Sequence, residues 1–317
     1  MSLPDSISPE LPARLSRNRS FWSMASTQFL GAFNDNFYKN AVIILITYLL
    51  ASQLHQDPAV LISLAAACFI LPFFLFSGIA GLIADRYAKH TLVRIFKVTE
   101  LVLCLLAGVA LMAHHLLSLM VILFLFGMQA AFFSPVKYAI MPELLKQNEL
   151  MKGNGMTEAG TFLCILLGTL VGGVLVLHPL GVELVAGGLV ALGILGTIAA
   201  WYVTPIEASQ PELALRYHVI ATTRDMLRHA VKTPSIWVAI LGISWFWAIG
   251  TSYLTQIPVF AKLVVGGNEE VASLYFALFS IGIGIGSLSC QRLVAFAPKL
   301  QLAPLSLLGI CAFGIHM

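Results

Sequence analysis

Long apolar runs recur along this chain, and they constrain its backbone more than any other feature. They fall at Phe21–Leu50, Ala59–Ala84, Thr91–Ala113, Leu116–Tyr138, Gly155–Leu177, Gly181–Val203, Ile236–Lys262 and Val271–Leu293, with an unfinished run at Gln301–Met317. Inside hydrocarbon no water satisfies peptide N–H and C=O groups, so runs of this length are predicted to be membrane-spanning helices. Composition agrees: 59% of residues are hydrophobic and only 10% charged, against about 25% charged in soluble domains. The formal charge of +3 is too small to imply a nucleic-acid partner; where the charges lie matters more. The expected partner is the lipid bilayer. Five cysteines, Cys68, Cys104, Cys164, Cys290 and Cys311, fall in apolar runs without ligand spacing and read as small hydrophobes.

Lysine and arginine positions orient the spans. Of eighteen basic residues, sixteen lie in the N-terminal arm, the second-to-third and fourth-to-fifth connections, the central stretch Thr204–Ser235 and the eighth-to-ninth connection. The positive-inside rule makes those segments and the N-terminus cytoplasmic. The expected organisation is a cytoplasmic arm (1–20), a six-helix bundle (21–203), a cytoplasmic connector (204–235) and an incomplete second bundle (236–317). The connector carries Arg216, Arg224, Arg228 and Lys232 with helical spacing and reads as an interfacial helix. Asn18-Arg19-Ser20 matches a glycosylation acceptor but lies in the cytoplasmic arm. The fold expected is all-α and integral to the membrane: eight complete transmembrane helices and part of a ninth, a fragment of a six-plus-six transporter.

The first run is interrupted by Gln28-Phe-Leu-Gly-Ala-Phe-Asn-Asp-Asn-Phe-Tyr-Lys-Asn40. Gln28, Gly31, Asp35 and Lys39 share one helical face. A charge at bilayer depth costs about 2.5–3.5 kcal/mol, so it faces a polar cavity or a partner. One reading is a polar pathway through Gln28, Asn34, Asp35 and Lys39; the other is a self-neutralising Asp35–Lys39 pair at i,i+4. Lys97 and Glu100, i,i+3 in the third run, read as a structural pair. Lys137, after Pro135 at the end of the fourth, is a point charge for a phosphate or a snorkelling anchor. Gly168-Thr-Leu-Val-Gly172-Gly173 and Gly282-Ile-Gly-Ile-Gly286 are small-residue faces for close helix contact. The adjacent His114 and His115 mark a membrane surface, and no metal set, cofactor motif or catalytic constellation is present in the sequence.

The second-to-third connection reads Gly81-Leu-Ile-Ala-Asp-Arg-Tyr-Ala-Lys-His90. Here the chain resembles the major facilitator superfamily, whose signature runs Gly-x-Leu-x-Asp-Arg-x-Gly-Arg-Lys; Ala88 replaces the second glycine and His90 a basic residue. The resemblance implies a cytoplasmic gate at Asp85 and Arg86; Glu143 and Glu158 lie near the same face and are expected to pair with Lys137 or Arg86 when it shuts. It also implies that spans five and eight lie side by side. Gln28–Asn36, Ser134-Pro-Val-Lys-Tyr-Ala-Ile-Met-Pro-Glu-Leu144 and Asn154-Gly-Met-Thr-Glu-Ala-Gly-Thr161 are similar to the lysophospholipid transporter family. Members of that family flip lysophospholipids, chiefly lysophosphatidylethanolamine, across the bacterial inner membrane for reacylation. Related modules are fused to acyltransferase and acyl-carrier-protein ligase domains, so such a partner or fused domain is implied. The seventh-span arginine of some members is absent from Trp245–Gln256. Two alternatives stand beside this: a proton-coupled facilitator of a small polar solute, and the membrane module of a fused acyltransferase.

The charge distribution sets a test. In intact cells a cysteine at Ser209 stays unlabelled by an impermeant thiol reagent while one at Gln56 reacts. Outside labelling at Ser209 reverses the orientation.

Overall fold

The computed structural model describes residues 15–50, 55, 57–213, 218–267, 269–296 and 308–310, and all regular elements among them are helical. Helix α1 (Arg19–Leu45) begins at Asn18, whose side chain accepts the Phe21 N–H at 3.0 Å. The same side chain donates through Nδ2 to the Leu144 carbonyl at 2.7 Å. Asn18 is therefore buried as a cap that ties the start of α1 to the end of the fourth run. At its other end α1 widens into a π-turn, Ile46–Leu50. Helix α2 (Pro58–Arg86) starts with Pro58 in its first turn and Asp57 as cap, positions that suit a proline lacking an N–H and a carboxylate acceptor. Helix α3 (Lys89–Ala113) ends where His114 turns left-handed, at φ +50°. His115 then contacts Ser118 Oγ at 2.8 Å and opens α4 (Leu116–Ala139).

A single turn, Met141–Leu144, leads to α5 (Leu150–Leu175), followed by α6 (Gly181–Trp201). The amphipathic α7 (Val219–Lys232) precedes α8 (Pro234–Leu263) and α9 (Glu269–Phe296). Each of the eight complete apolar runs therefore contains a helix, but their fitness to cross a membrane differs. Five, α2 to α6, are long and apolar enough by themselves. The polar insert in α1 lowers its hydropathy. Helix α7 and the first part of α8 pass only as a pair, bent by 112° between them, which brings the number to at most six. The expectation of eight spans is thus supported for five or six. The ninth run lies almost wholly outside the described residues, as does the arm up to residue 14. Helix α5 begins five residues before its apolar run, drawing Lys152 and Asn154 into its first turns.

Helix α1 is held between α5 and α6, α2 packs on α4, α3 packs on α6 and α4, and α9 lies against α5. One buried cluster gathers Phe37, Tyr38, Leu103, Leu123 and Leu189; a second, toward the start of α1, gathers Phe21, Met24, Leu92, Val136 and Leu144. Spans five and eight are side by side, as the family resemblance implies, but the glycine face at Gly168 and Gly172 does not mediate that contact. A Cβ at Gly168 meets the Phe33 carbonyl and one at Gly172 the Phe37 carbonyl, both on α1. The α5–α9 contact instead brings Gly155 onto the backbone of Ser287, and among the described residues nothing lies within 4 Å of a Cβ at Gly282, Gly284 or Gly286. The reason is geometric: glycines four apart leave a groove that admits a backbone, and the backbone filling it is that of α1.

This predicts unequal sensitivity to a single methyl. Gly172→Ala forces α1 away from α5 and lowers stability by about 1–3 kcal/mol, measured as a lower thermal unfolding midpoint in detergent. Gly282→Ala, with open space, is neutral or slightly stabilising, since alanine favours helix by up to ~1 kcal/mol.

Candidate functional site

The polar residues of α1 meet charged residues of α3 and α4 inside the bundle. Lys97 Nζ lies 2.6 Å from Glu100 Oε2, with side chains 1% and 2% exposed. Gln129 of α4 donates to the same carboxylate oxygen at 3.4 Å and to the Phe96 carbonyl at 3.3 Å. The Lys97 ammonium also stands 5.5 Å from the centre of the Phe133 ring. Room for it comes from Gly31 of α1, where a Cβ would lie 2.6 Å from Nζ, and from Gly196 of α6. On α6, Thr197 Oγ1 donates to the Lys97 carbonyl at 3.1 Å. The pair is held on every side, so breaking one partner costs more than a surface pair would.

Asp35 sits one turn beyond Gly31. It does not pair with Lys39: Lys39 Nζ donates to Asn36 Oδ1 at 2.8 Å and stands 5.2 Å from the Phe69 ring centre. Asp35 Oδ1 is buried without a hydrogen-bond partner. The charges acting on it are those of Glu100, Lys97, Lys39 and Lys137. Asn34 donates to Cys104 Sγ at 2.9 Å and weakly to the Leu189 carbonyl at 3.5 Å, leaving its Oδ1 unsatisfied. Gln28 Nε2 and Glu100 Oε1 are likewise buried without partners. A buried polar atom left in this state costs about 1–3 kcal/mol, and four such atoms cluster on the facing sides of α1 and α3. Lys137 lies over the ring of its neighbour Tyr138 at 4.8 Å, and Tyr138 donates to Glu158 at 3.3 Å. From Lys39 through Asp35, Lys97 and Glu100 to Lys137 the strip holds three lysines and two carboxylates.

The second-to-third connection forms a separate constellation. Lys89 is buried and lies 2.6 Å from Glu143 Oε1. It also donates to Ser209 Oγ, and Ser209 donates to Glu143 at 3.3 Å. Arg86 donates to the Leu213 carbonyl at 2.9 Å, while Gln210 N–H donates to the Asp85 carbonyl at 2.9 Å. Ile206 N–H donates to His90 Nδ1 at 3.0 Å, and Arg94 reaches the Val203 carbonyl at 3.3 Å. The segment from Val203 to Leu213 is thereby strapped across the ends of α2, α3 and α4.

The site residues expected from sequence separate into two groups. Asp35, Lys39, Lys137, Asn34 and Gln28 belong to the strip, Asn34 and Gln28 buried and the other three half-buried, and Asp85, Arg86 and Glu143 to the strap. Glu143 is engaged by Lys89, in place of the expected Lys137 or Arg86, because α4 ends at Ala139 and the separate turn Met141–Leu144 sets Glu143 beside the first residue of α3. Glu158 is engaged by Tyr138. Lys97 and Glu100, read as structural, stand beside Asp35 and share its electrostatic environment. No motif marks Lys89 and Ser209 as partners of Glu143; the signal the sequence holds is a proline directly preceding that acid.

Known proteins resemble this chain in sequence and in fold. The chain is 28% identical over 303 residues to "Lysophospholipid transporter LplT" of Escherichia coli O1:K1, covering 92% of this chain and 72% of that one. It is 28% identical over 301 residues to the transporter of the same name from Salmonella paratyphi B, covering 92% and 71%. In fold it resembles a crystal structure of the peptide transporter POT, with a TM-score of 0.51 and 17% identity over 81% of this chain and 53% of that one. The chain thus spans about half of that solved transporter. A family model described as "Major Facilitator Superfamily" matches residues 24–317. Multi-pass apolar helices, the strapped Asp85–Arg86 connection and a match along nearly its whole length make this chain a member of the Major Facilitator Superfamily.

Proposed function

We propose that this transporter moves lysophospholipids, of the lysophosphatidylethanolamine kind, across a bacterial inner membrane with its N-terminus in the cytoplasm. The observation that carries the reading is the buried strip itself. Asp35 presents an unpartnered carboxylate oxygen among Lys39, Lys97 and Lys137. A zwitterionic headgroup needs both signs at once: a cation for its phosphate and a carboxylate for its ammonium. Lys97 is committed to Glu100, so Lys39 and Lys137 are the phosphate candidates and Asp35 takes the ammonium. Gln28 and Asn34 supply further hydrogen-bonding groups along the same helix.

A single acyl tail has no reason to enter this strip. Each methylene moved out of an apolar setting costs about 0.8 kcal/mol, so the tail stays against lipid and apolar helix faces while the headgroup follows the charges. Kinship with lysophospholipid transporters over 92% of the chain supports the same substrate class. On this reading Asp85, Arg86 and Glu143 close the cytoplasmic end, and an acyltransferase acts on the delivered lipid.

Two outcomes are expected with labelled lysophosphatidylethanolamine in spheroplasts. Wild-type protein transfers it and excludes a diacyl lipid, and Lys39→Ala and Lys137→Ala each slow transfer by roughly tenfold, the loss of about 1.4 kcal/mol of binding. Equal rates for the one-tailed and two-tailed lipids, or no transfer alongside pH-driven uptake of a water-soluble solute, reject this reading in favour of a solute facilitator.

Asp35→Asn keeps shape but removes the charge. It is expected to insert and express normally, because apolar burial over each span outweighs one charge, and to lose most transport. Retained transport at unchanged expression reduces Asp35 to scaffolding.

A further inference from the structure

The connector helix and α2 border a groove lined by none of the strip or strap residues. Helix α7 lies along the last turns of α2, with Thr223 against Gly78 and the Met226 methyl 3.4 Å from where a Cβ of Gly81 would stand. Between the two helices runs a trough of about 800 Å³. Phe74 and Leu75 of α2 and Val219, Ile220, Leu227 and Val231 of α7 form its apolar lining. Arg224, Arg228 and Lys232 also line it, and their four-residue spacing places them in one row along α7. Asp225 is the acidic neighbour, 3.8 Å from Arg224, but both side chains are about half exposed, so solvent weakens that contact.

We propose that this trough binds an anionic glycerophospholipid from the leaflet on the connector side, with the headgroup on the arginine–lysine row and an acyl chain between α2 and α7. Charge complementarity selects the occupant. A soluble anion uses the row and leaves the apolar walls idle; a zwitterionic lipid uses the walls and gains little from three cations. An anionic lipid uses both. Its location suits this too: α2 has 29 residues, roughly 43 Å of helix, so its Arg86 end reaches the headgroup zone beyond a core of about 30 Å. Bound lipid would fix α7 against α2 and so steady the bend into α8. This inference is independent of the transported substrate.

The test uses the full chain in detergent, offered phosphatidylglycerol and phosphatidylcholine in equal amounts, with retained lipid read by native mass spectrometry. Wild type is expected to retain phosphatidylglycerol about tenfold over phosphatidylcholine, the sense expected of clustered basic residues. The variant Arg224→Gln/Arg228→Gln/Lys232→Gln is expected to lose that preference. Leu227→Trp puts a bulky ring across the apolar lining, keeps the cations and is expected to retain little of either lipid. Equal retention by wild type overturns the proposal without recourse to any variant. So does a preference that survives the triple substitution, or one that Leu227→Trp leaves unchanged, which would mean surface charge alone. Both variants alter exposed side chains, and monodisperse elution is the check on their folding.

Discussion

Helix α1 is too polar to face lipid, and much of the arrangement around it follows from that constraint. Its carbonyls at Phe33 and Phe37 rest on Gly168 and Gly172 of α5, so closely that hydrogen is the largest substituent tolerated. Asn40 donates to the Thr169 carbonyl at 2.6 Å on the same helix. Helix α6 closes another side through Leu189, and α3 supplies Cys104 and Lys97. The polar groups of α1 are removed from hydrocarbon by neighbours that approach at backbone distance. Where they find no partner, as at Asp35 Oδ1, Asn34 Oδ1 and Gln28 Nε2, the deficit falls along a single strip.

That strip was legible in part. A lone Asp35 in an apolar run announces itself, because nothing local explains a charge there. Its relation to Lys39 was ambiguous: i,i+4 spacing permits a pair, and only the third dimension shows Lys39 turned to Asn36 and Phe69. Lys97 and Glu100 were legible as a pair for the same local reason, but their proximity to Asp35 depends on how α3 meets α1. Gly168 and Gly172 identified a packing face without naming the helix that fills it, since spacing describes one surface and not its complement.

The connection between α2 and α3 illustrates the other limit. Asp85 and Arg86 were recognisable from the pattern around Gly81, yet the buried cation is Lys89, set against Glu143 from more than fifty residues away and Ser209 from farther still. Such a triad depends on the end of α4 before the Met141–Leu144 turn and on the path of the connector. By contrast the helices themselves were readable, because peptide groups in lipid have few alternatives to satisfying one another within the same segment.

The strip from Lys39 to Lys137 has an electrical consequence. Lys39, Lys97 and Lys137 stand against Asp35 and Glu100 along it, and Glu158 beside Lys137 supplies a third carboxylate. Each elementary charge that crosses a membrane potential of 100 mV changes energy by about 2.3 kcal/mol, and a charge moved part of the way changes by the corresponding fraction. Any movement of α1 and α3 along the bilayer normal therefore senses the membrane voltage only through the difference between the positive and the negative charge it carries.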